Sequence, residues 1–158
     1  MLLTKVIPRI VARGLKVSTL KHAHHGFDVD QPGKDSHSHR MAGASEVLVS
    51  SSVRWALVHE LRGDAEIGLA VLIEKLAPVD LVLVEGYKRE RHPKLEIYRA
   101  ALGKPPLFPD DPAIVAVASD QPLPQAKIPV VDRDDVESIA DLLVARAAPL
   151  DCLFAHTE

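Results

Sequence analysis

The fold of this chain is decided by residues 80–88, which read Asp-Leu-Val-Leu-Val-Glu-Gly-Tyr-Lys. Four consecutive aliphatic residues predict a β-strand buried on both faces, because a strand with one exposed face would alternate apolar and polar residues. Glu85 and Gly86 mark the end of that strand. Such strands occur in parallel sheets whose faces are covered by helices. The stretch therefore predicts an α/β domain.

Outward from this strand, apolar runs alternate with helical patterns. Further strands are predicted at residues 16–20, 46–50, 53–59, 95–98, 113–118 and 128–131. Helices are predicted at residues 2–11, 34–44, 67–76 and 135–148, the last capped by Asp134 or Asp135. This alternation predicts a mostly parallel sheet with helices on both faces. We assign residues 1–148 to this domain and residues 149–158 to a C-terminal tail.

Composition excludes several classes of protein. The net charge of −3 gives no general basic surface for nucleic acid. Cys152 is the single cysteine, so no intramolecular disulfide can form. No apolar run reaches the roughly 18 residues of a membrane span. Because Leu2 and Leu3 are followed at once by Thr4 and Lys5, we expect no signal peptide and a cytoplasmic protein that binds neither nucleic acid nor membrane.

Ligands of such sheets bind beyond the carboxyl ends of the strands, so the polar segments that follow residues 20, 84 and 118 are candidate sites. The first segment mixes lysine, histidine and aspartate. Its Lys21 suits a phosphate, and Asp28 or Asp30 could hold Mg²⁺ directly or through water. The alternative is a solvated loop, and residue types alone leave the two about equally supported.

Histidine is concentrated in the same segment, and this pattern also fits a metal site. Five of the eight histidines form part of it: His22, His24, His25, His37 and His39. They include two His-x-His pairs, and imidazole is a common ligand of Zn²⁺ and Ni²⁺. No cysteine lies nearby, so we favour neutral hydrogen-bonding roles for these side chains.

The other two candidate sites each end a buried strand with a carboxylate. Glu85 could bind Mg²⁺ through water or orient an attacking water, and Gly86 lets the backbone approach a ligand closely. The alternative for both is a surface turn. Asp120, after Ser119, could accept two hydrogen bonds from the edge of guanine; spacing alone slightly favours an aspartate that starts the turn at residues 121–122.

At these residues the chain resembles the MobB family of P-loop proteins. The resemblance is carried by residues 18–44 (Ser-Thr-Leu-Lys-His-Ala-His-His, then Asp-Val-Asp-Gln-Pro-Gly-Lys-Asp-Ser, then His39 and Ala-Gly-Ala). It continues through Arg-Trp-Ala-Leu at residues 54–57, Leu-Val-Glu-Gly-Tyr-Lys at residues 83–88 and Ala-Val-Ala-Ser-Asp at residues 116–120. The likeness extends in order over residues 2–146.

The resemblance implies a homodimer that binds GTP with Mg²⁺, is at most a weak GTPase, and assists the guanylyltransferase that joins GMP to molybdopterin. The candidate nucleotide ligands are Lys21, His22, His24, His25, Gly86, Lys88, Ser119 and Asp120. The candidate metal ligands are Asp28, Asp30 and Glu85, and Glu85 is the candidate catalytic residue.

The chain departs from that family at its start. The family opens with a strand and a glycine-rich Walker A loop, and only then reaches the Leu-Leu-Thr-Lys found here at residues 2–5. Roughly 15 residues are absent, and the phosphate-cradling motif occurs nowhere in the printed sequence. We therefore expect an N-terminally truncated P-loop fold with impaired nucleotide binding.

Loss of the first strand is expected to expose strand edges at residues 16–20, 80–84 and 113–118. Two alternatives to the accessory GTP-binding function remain. One is a histidine-rich metallochaperone-type P-loop relative that handles Ni²⁺ or Zn²⁺. The other is an interaction protein that keeps the fold but binds no nucleotide.

Overall fold

The computed structural model describes residues 1–23 and 26–151. Its elements are, in order, α1 (Leu3–Val11), β1 (Val17–Lys21), α2 (Asp35–Met41), β2 (Glu46–Ser50), β3 (Trp55–His59), α3 (Leu69–Glu74), β4 (Leu81–Glu85), β5 (Lys94–Tyr98), a 3-10 turn (Ala100–Leu102), β6 (Ile114–Ser119), β7 (Val130–Asp132) and α4 (Val136–Arg146). This order confirms the predicted α/β class. Within these residues, no helix is long and apolar enough to cross a membrane.

The strands of the described residues pair mostly in parallel, as predicted, but their hydrogen bonds are divided among three sheets. β1 pairs with β4 in parallel, and β6 pairs in parallel with β5 on one side and β7 on the other. β2 and β3 form a separate antiparallel hairpin. The division arises because β4 and β5 do not pair with each other.

Helices α1 and α4 join the two parallel sheets on one face. Val6 and Ile10 of α1 are fully buried, as is Ile139 of α4. The same apolar cluster contains Leu83 of β4 and Ala118 of β6. Burying an aliphatic side chain of this size contributes about 1.5–3 kcal/mol. This shared cluster therefore holds β4 and β6 in one body without hydrogen bonds between their sheets.

Helix α3 covers the opposite face of the β1–β4 pair. Its Leu69 and Ile73 are buried against Leu20 of β1, and Val84 of β4 packs on the same cluster. Strand β4 is thus apolar on both sides, which explains its unbroken aliphatic run. The prediction of helices on both faces is confirmed here.

A cavity of about 1300 Å³ separates β4 from β5, and both strands line it. Among the described residues each of these strands has one partner, so each presents an open edge. The open edge expected at residues 80–84 is present. The one expected at residues 113–118 is wrong, because β6 is paired on both sides and β5 takes the position beside the cavity. Strand β1 also has a single partner in the described part of the chain, so the open edge expected at residues 16–20 is present as well, but it lies on the far side of β4 and does not line the cavity.

Candidate functional site

The tips of β1 and β4 bring Lys21 and Glu85 together. The two residues are register partners in the parallel pair. The ammonium of Lys21 lies 3.9 Å from the Glu85 carboxylate, and both side chains are about half exposed. An exposed pair at this distance contributes little to stability. Both groups therefore remain accessible to a ligand at the carboxyl edge of the sheet, where such folds bind ligands.

His22 is held in place immediately beyond this pair. Its backbone N–H donates to the carbonyl of Glu85 at 2.9 Å. Its imidazole Nε2 lies 2.8 Å from the carboxylate of Glu66, within hydrogen-bond distance. The ring also contacts the ring of Tyr87, with centroids 5.0 Å apart. His22 is thus held at the rim of the site by one backbone contact and two contacts of its ring.

Gly86 is required by this arrangement. Its φ is +99°, and a Cβ built on it would lie 2.8 Å from the Cβ of His22. The sequence predicts that Gly86 lets a ligand approach the backbone closely. In the structure, the group that lies close to Gly86 is His22. The following Tyr87 also has a positive φ, 48°, and burial, then the charges of Glu66 and Glu90, raises the pKa of its phenol.

The neighbouring Lys88 lies on the cavity side of this turn. It lines the cavity between β4 and β5, and its backbone carbonyl accepts a hydrogen bond from the ammonium of Lys94 at 2.6 Å. The Lys94 ammonium is also bound to the carboxylate of Asp111 at 2.8 Å. The turn that carries Lys88 is thereby tied to the start of β5.

Asp28 and Asp30, the predicted metal ligands, are gathered around Arg40 of α2. The guanidinium lies 2.7 Å from Asp28, 2.7 Å from Glu60 and 3.6 Å from Asp30. Asp30 also accepts a hydrogen bond from the Ser36 hydroxyl at 2.8 Å. The cluster anchors the polar segment after β1 to α2 and to the residue that follows β3. A metal ion at either aspartate would compete with this guanidinium.

The contacts in this cluster shift the pKa values of Asp28 and Arg40 in the directions that keep both side chains charged. The backbone N–H of Asp30 and then the guanidinium of Arg40 lower the pKa of the Asp28 carboxyl. Hydrogen bonds to Glu60 and Asp28 raise the pKa of Arg40. Within the described part of the chain, no three or more histidine, cysteine or acidic side chains are placed to hold a metal ion.

Ser119 ends β6 and Asp120 follows it, in a different sheet from the Lys21–Glu85 pair. The Ser119 hydroxyl donates to the carbonyl of Gln121 at 2.6 Å and accepts its N–H at 3.1 Å, which builds a turn. Asp120 accepts the N–H of Ala100 at 3.1 Å and lies 3.8 Å from Arg133. A cavity of about 240 Å³ opens beside these residues. The turn after β6 is therefore built by Ser119, whereas the Asp120 carboxylate contacts Ala100 and Arg133 beside the cavity.

Apart from Lys88, which lines the larger cavity, the described site residues thus fall into three groups. Lys21, His22, Glu85 and Gly86 are brought together, Asp28 and Asp30 join Arg40, and Ser119 and Asp120 line a separate cavity. His24 and His25 lie outside the described residues. Sequence reasoning missed Glu66, Arg40 and Arg133. No local pattern marks the first of these, because its contact with His22 spans 44 positions.

The chain that carries this site matches a known protein family and two described relatives. A family described as molybdopterin guanine dinucleotide synthesis protein B matches residues 1–120. The chain is 42% identical over 146 residues to the molybdopterin-guanine dinucleotide biosynthesis adapter protein of Escherichia coli (strain K12), covering 90% of this chain and 83% of that protein. It is 36% identical over 143 residues to the protein of the same description from Haemophilus influenzae, covering 90% and 79%.

The similarity extends to three dimensions. A crystal structure of molybdopterin-guanine biosynthesis protein B superposes with a TM-score of 0.70 at 24% identity. The superposition covers 91% of this chain and 89% of the other. At that identity the comparison shows a shared fold.

Proposed function

This chain belongs to the family of molybdopterin guanine dinucleotide synthesis protein B, and from that membership we propose that it serves as an accessory GTP-binding protein in molybdenum cofactor guanylation. Its partner on this proposal is the guanylyltransferase of molybdopterin guanine dinucleotide synthesis. The two relatives, which are 36–42% identical to it over the aligned residues, are described as adapter proteins. The proposed place of action is the cytoplasm.

The observation that carries the nucleotide part of the proposal is the juxtaposition of Lys21 and Glu85 at paired strand tips. A cation for phosphate oxygens and a carboxylate for a magnesium-bound water are the two charges that phosphoryl chemistry needs. The residues present fit GTP and Mg²⁺ at this edge. Lys21 would bind phosphate, and Glu85 would orient water or hold the hydrated metal. Asp120, beside its own cavity, is our candidate for guanine recognition.

Full nucleotide affinity needs a phosphate loop as well. No Gly-x-x-x-x-Gly-Lys-Ser/Thr occurs in the 158 residues, so they supply no Walker A cradle of backbone N–H groups. We therefore propose that a protein of these residues alone binds GTP weakly. A strand bearing such a loop, placed between β4 and β5, would bring the cradle beside Lys21 and Glu85.

The decisive experiment measures binding of the partner enzyme in the presence and in the absence of the nucleotide. The chain is immobilised, and binding of the purified guanylyltransferase is followed by surface plasmon resonance with and without GTP and Mg²⁺. We expect saturable binding of the enzyme. If the enzyme fails to bind to this chain, and also to one extended with a strand and Walker A loop, the adapter proposal is wrong.

We also propose that the protein is a homodimer. The face of the β2–β3 hairpin supports this, because Leu48, Leu57 and Trp55 are each 45–65% exposed on it. Exposed apolar patches of this kind mark interaction surfaces.

Nothing in the described residues favours the metallochaperone alternative, since they contain no grouped metal ligands. We expect no stoichiometric zinc or nickel in untagged protein analysed by plasma mass spectrometry. One equivalent of either metal would favour that alternative.

A further inference from the structure

Glu66 meets the ligand edge of the β1–β4 pair from a segment outside that pair. It lies between β3 and α3, and its carboxylate is 2.8 Å from Nε2 of His22. His22 directly follows Lys21, and its backbone N–H is bonded to the carbonyl of Glu85. The backbone of His22 is therefore held by β4, whereas Glu66 acts on the imidazole ring alone.

The segment that carries Glu66 is tied to α2 by two of its side chains. The carboxylate of Glu60 lies 2.7 Å from the guanidinium of Arg40. The guanidinium of Arg62 donates to the carbonyls of Arg40 and Ala44, at 2.6 and 2.9 Å. These bonds offset the strain of Arg62, whose φ of 47° lies in the left-handed region that favours glycine. The path of the chain before Glu66 is thus fixed by contacts that do not involve Glu66 itself.

An apolar contact fixes the chain on the other side of Glu66. Leu69, the first residue of α3, is buried against Leu20 of β1. Glu66 precedes Leu69 by three positions, and His22 follows Leu20 by two. The main chain therefore brings Glu66 and His22 together before either side chain adopts a rotamer. A contact prepared in this way loses less side-chain freedom than one between two mobile surface groups.

The ring of His22 is held by two contacts of different kinds. Glu66 lies at its Nε2 edge, and the ring of Tyr87 lies against it with centroids 5.0 Å apart and planes inclined by 51°. Burial and then the charge of Glu66 raise the pKa of the Tyr87 phenol, so the carboxylate acts on both rings. A hydrogen bond at one edge and a ring contact together restrict both side-chain torsions of His22.

We propose that Glu66 is a positioning residue of this edge: it holds the imidazole of His22 in one direction, so that the ring meets a nucleoside triphosphate bound beside Lys21 and Glu85. The ligand in this proposal rests on the proposed nucleotide function. Charge alone does not explain a glutamate here, since a carboxylate repels a polyphosphate. Stability does not explain it either, because the Glu66 side chain is 70% exposed and an exposed pair contributes little.

The first test follows the ring itself by NMR in the 158-residue chain. Glu66→Gln keeps an oxygen that can accept the Nε2–H of His22, whereas Glu66→Ala does not, and both remove the same charge. We expect a nuclear Overhauser effect between the His22 and Tyr87 rings in the parent and in Glu66→Gln, and its loss in Glu66→Ala. Glu74→Ala, at an exposed acid of α3, is the control and should keep it. A ring contact that persists in Glu66→Ala would overturn the proposal.

The second test measures the ligand, by isothermal titration of GTP and Mg²⁺ into the chain extended with a strand and Walker A loop. We expect Glu66→Ala to bind GTP about tenfold more weakly than the parent, and Glu66→Gln to stay within about twofold of it. Melting temperatures should be almost unchanged, because the pair is exposed. Charge repulsion alone predicts the opposite sign, with both variants binding GTP more tightly, and that result would overturn the proposal.

The two tests separate this inference from the proposed function. If the extended parent binds no GTP, the nucleotide function is wrong, and the proposal fails with it as far as the ligand is concerned. The ring measurement then still decides whether Glu66 holds His22.

Discussion

A Cβ at position 86 would lie 2.8 Å from the Cβ of His22, so the tips of β4 and β1 approach each other more closely than any side chain at Gly86 permits. The contact is reinforced by the hydrogen bond from the His22 N–H to the Glu85 carbonyl. Both strand tips carry proposed ligand-binding residues. The spacing of Lys21 and Glu85 is therefore coupled to this one glycine.

Replacing Gly86 by alanine should destabilise the protein for two reasons, backbone strain at positive φ and the clash with His22. Gly63 offers a matched control, because its φ is also +99° but a Cβ there meets nothing within 4 Å. Both variants incur strain of roughly 1–3 kcal/mol. We expect Gly86→Ala to melt at least about 3 °C below Gly63→Ala in calorimetric scans. Equal melting temperatures would show that His22 moves aside without cost.

Glu85→Gln should impair nucleotide chemistry and leave stability almost unchanged. Its pair with Lys21 is long and exposed, worth less than about 1 kcal/mol. In a chain extended with a Walker A loop, we expect lower GTP hydrolysis or altered Mg²⁺ dependence at a nearly constant melting temperature. Asp80→Ala, at the other end of β4, is the control: it loses a hydrogen bond from the Lys16 N–H, so it should lower stability alone. A Glu85 variant that merely unfolds would indicate a structural role.

Isothermal titration of the 158-residue chain with GTP and Mg²⁺ should give weak binding or none. The physical reason is that Lys21 and Glu85 supply only part of the phosphate contacts, and the loop that gives most of them is not among these residues. Addition of a strand and Walker A loop should restore affinity. A micromolar dissociation constant for the 158 residues alone would contradict the prediction.

Stability should fall in acid through the cluster around Arg40. The folded-state pKa of Asp28 lies below its ordinary value of 3.8, first because of the N–H of Asp30 and then because of Arg40. A lowered pKa contributes stability above the ordinary value, and that stability is lost as the pH falls through the folded pKa. Melting temperatures of Asp28→Asn should therefore depend less on pH below about 4 than those of the parent. Asp64→Asn, an exposed change outside the cluster, should keep the parental slope.

The chain should self-associate through the hairpin face. Leu48 stands directly opposite Leu57 in the antiparallel register, and Trp55 lies on the same side. We expect Leu48→Lys to shift the mass measured by light scattering toward the monomer. Leu102→Lys, at a residue as exposed as Trp55 but on the 3-10 turn, should not. A monodisperse monomer of the parent protein would contradict the homodimer.

Local patterns were sufficient to predict β4, β6 and α4, because an unbroken aliphatic run or an aspartate cap involves only residues that are neighbours in the sequence. Asp135 is indeed the cap of α4 and accepts the N–H of Ser138. Strand order could not be read in this way. It depends on packing between distant segments, and so an open edge was expected at β6, whereas the structure has it at β5.

The candidate site shows the same limit of local patterns. Lys21, Glu85 and Gly86 were found because they follow predicted strands. Arg40 reaches Asp28 and Glu60 across 12 and 20 positions, and no periodicity encodes those contacts. Asp28 and Asp30 consequently looked like metal ligands in the sequence, whereas in the structure they pair with a guanidinium; metal binding by them stays a prediction.

The packing of α1 against α4 has a consequence for how the protein is made. Val6 and Ile10 are fully buried, and their cluster also contains Ile139 and Ala140, which lie far later in the sequence. Contacts over such sequence separations form slowly, because the chain must close a long loop first. During translation the apolar face of the first helix can therefore be fully covered only after Ile139 and Ala140 have left the ribosome. Intermediates with such an uncovered apolar face are the kind of species that chaperones bind.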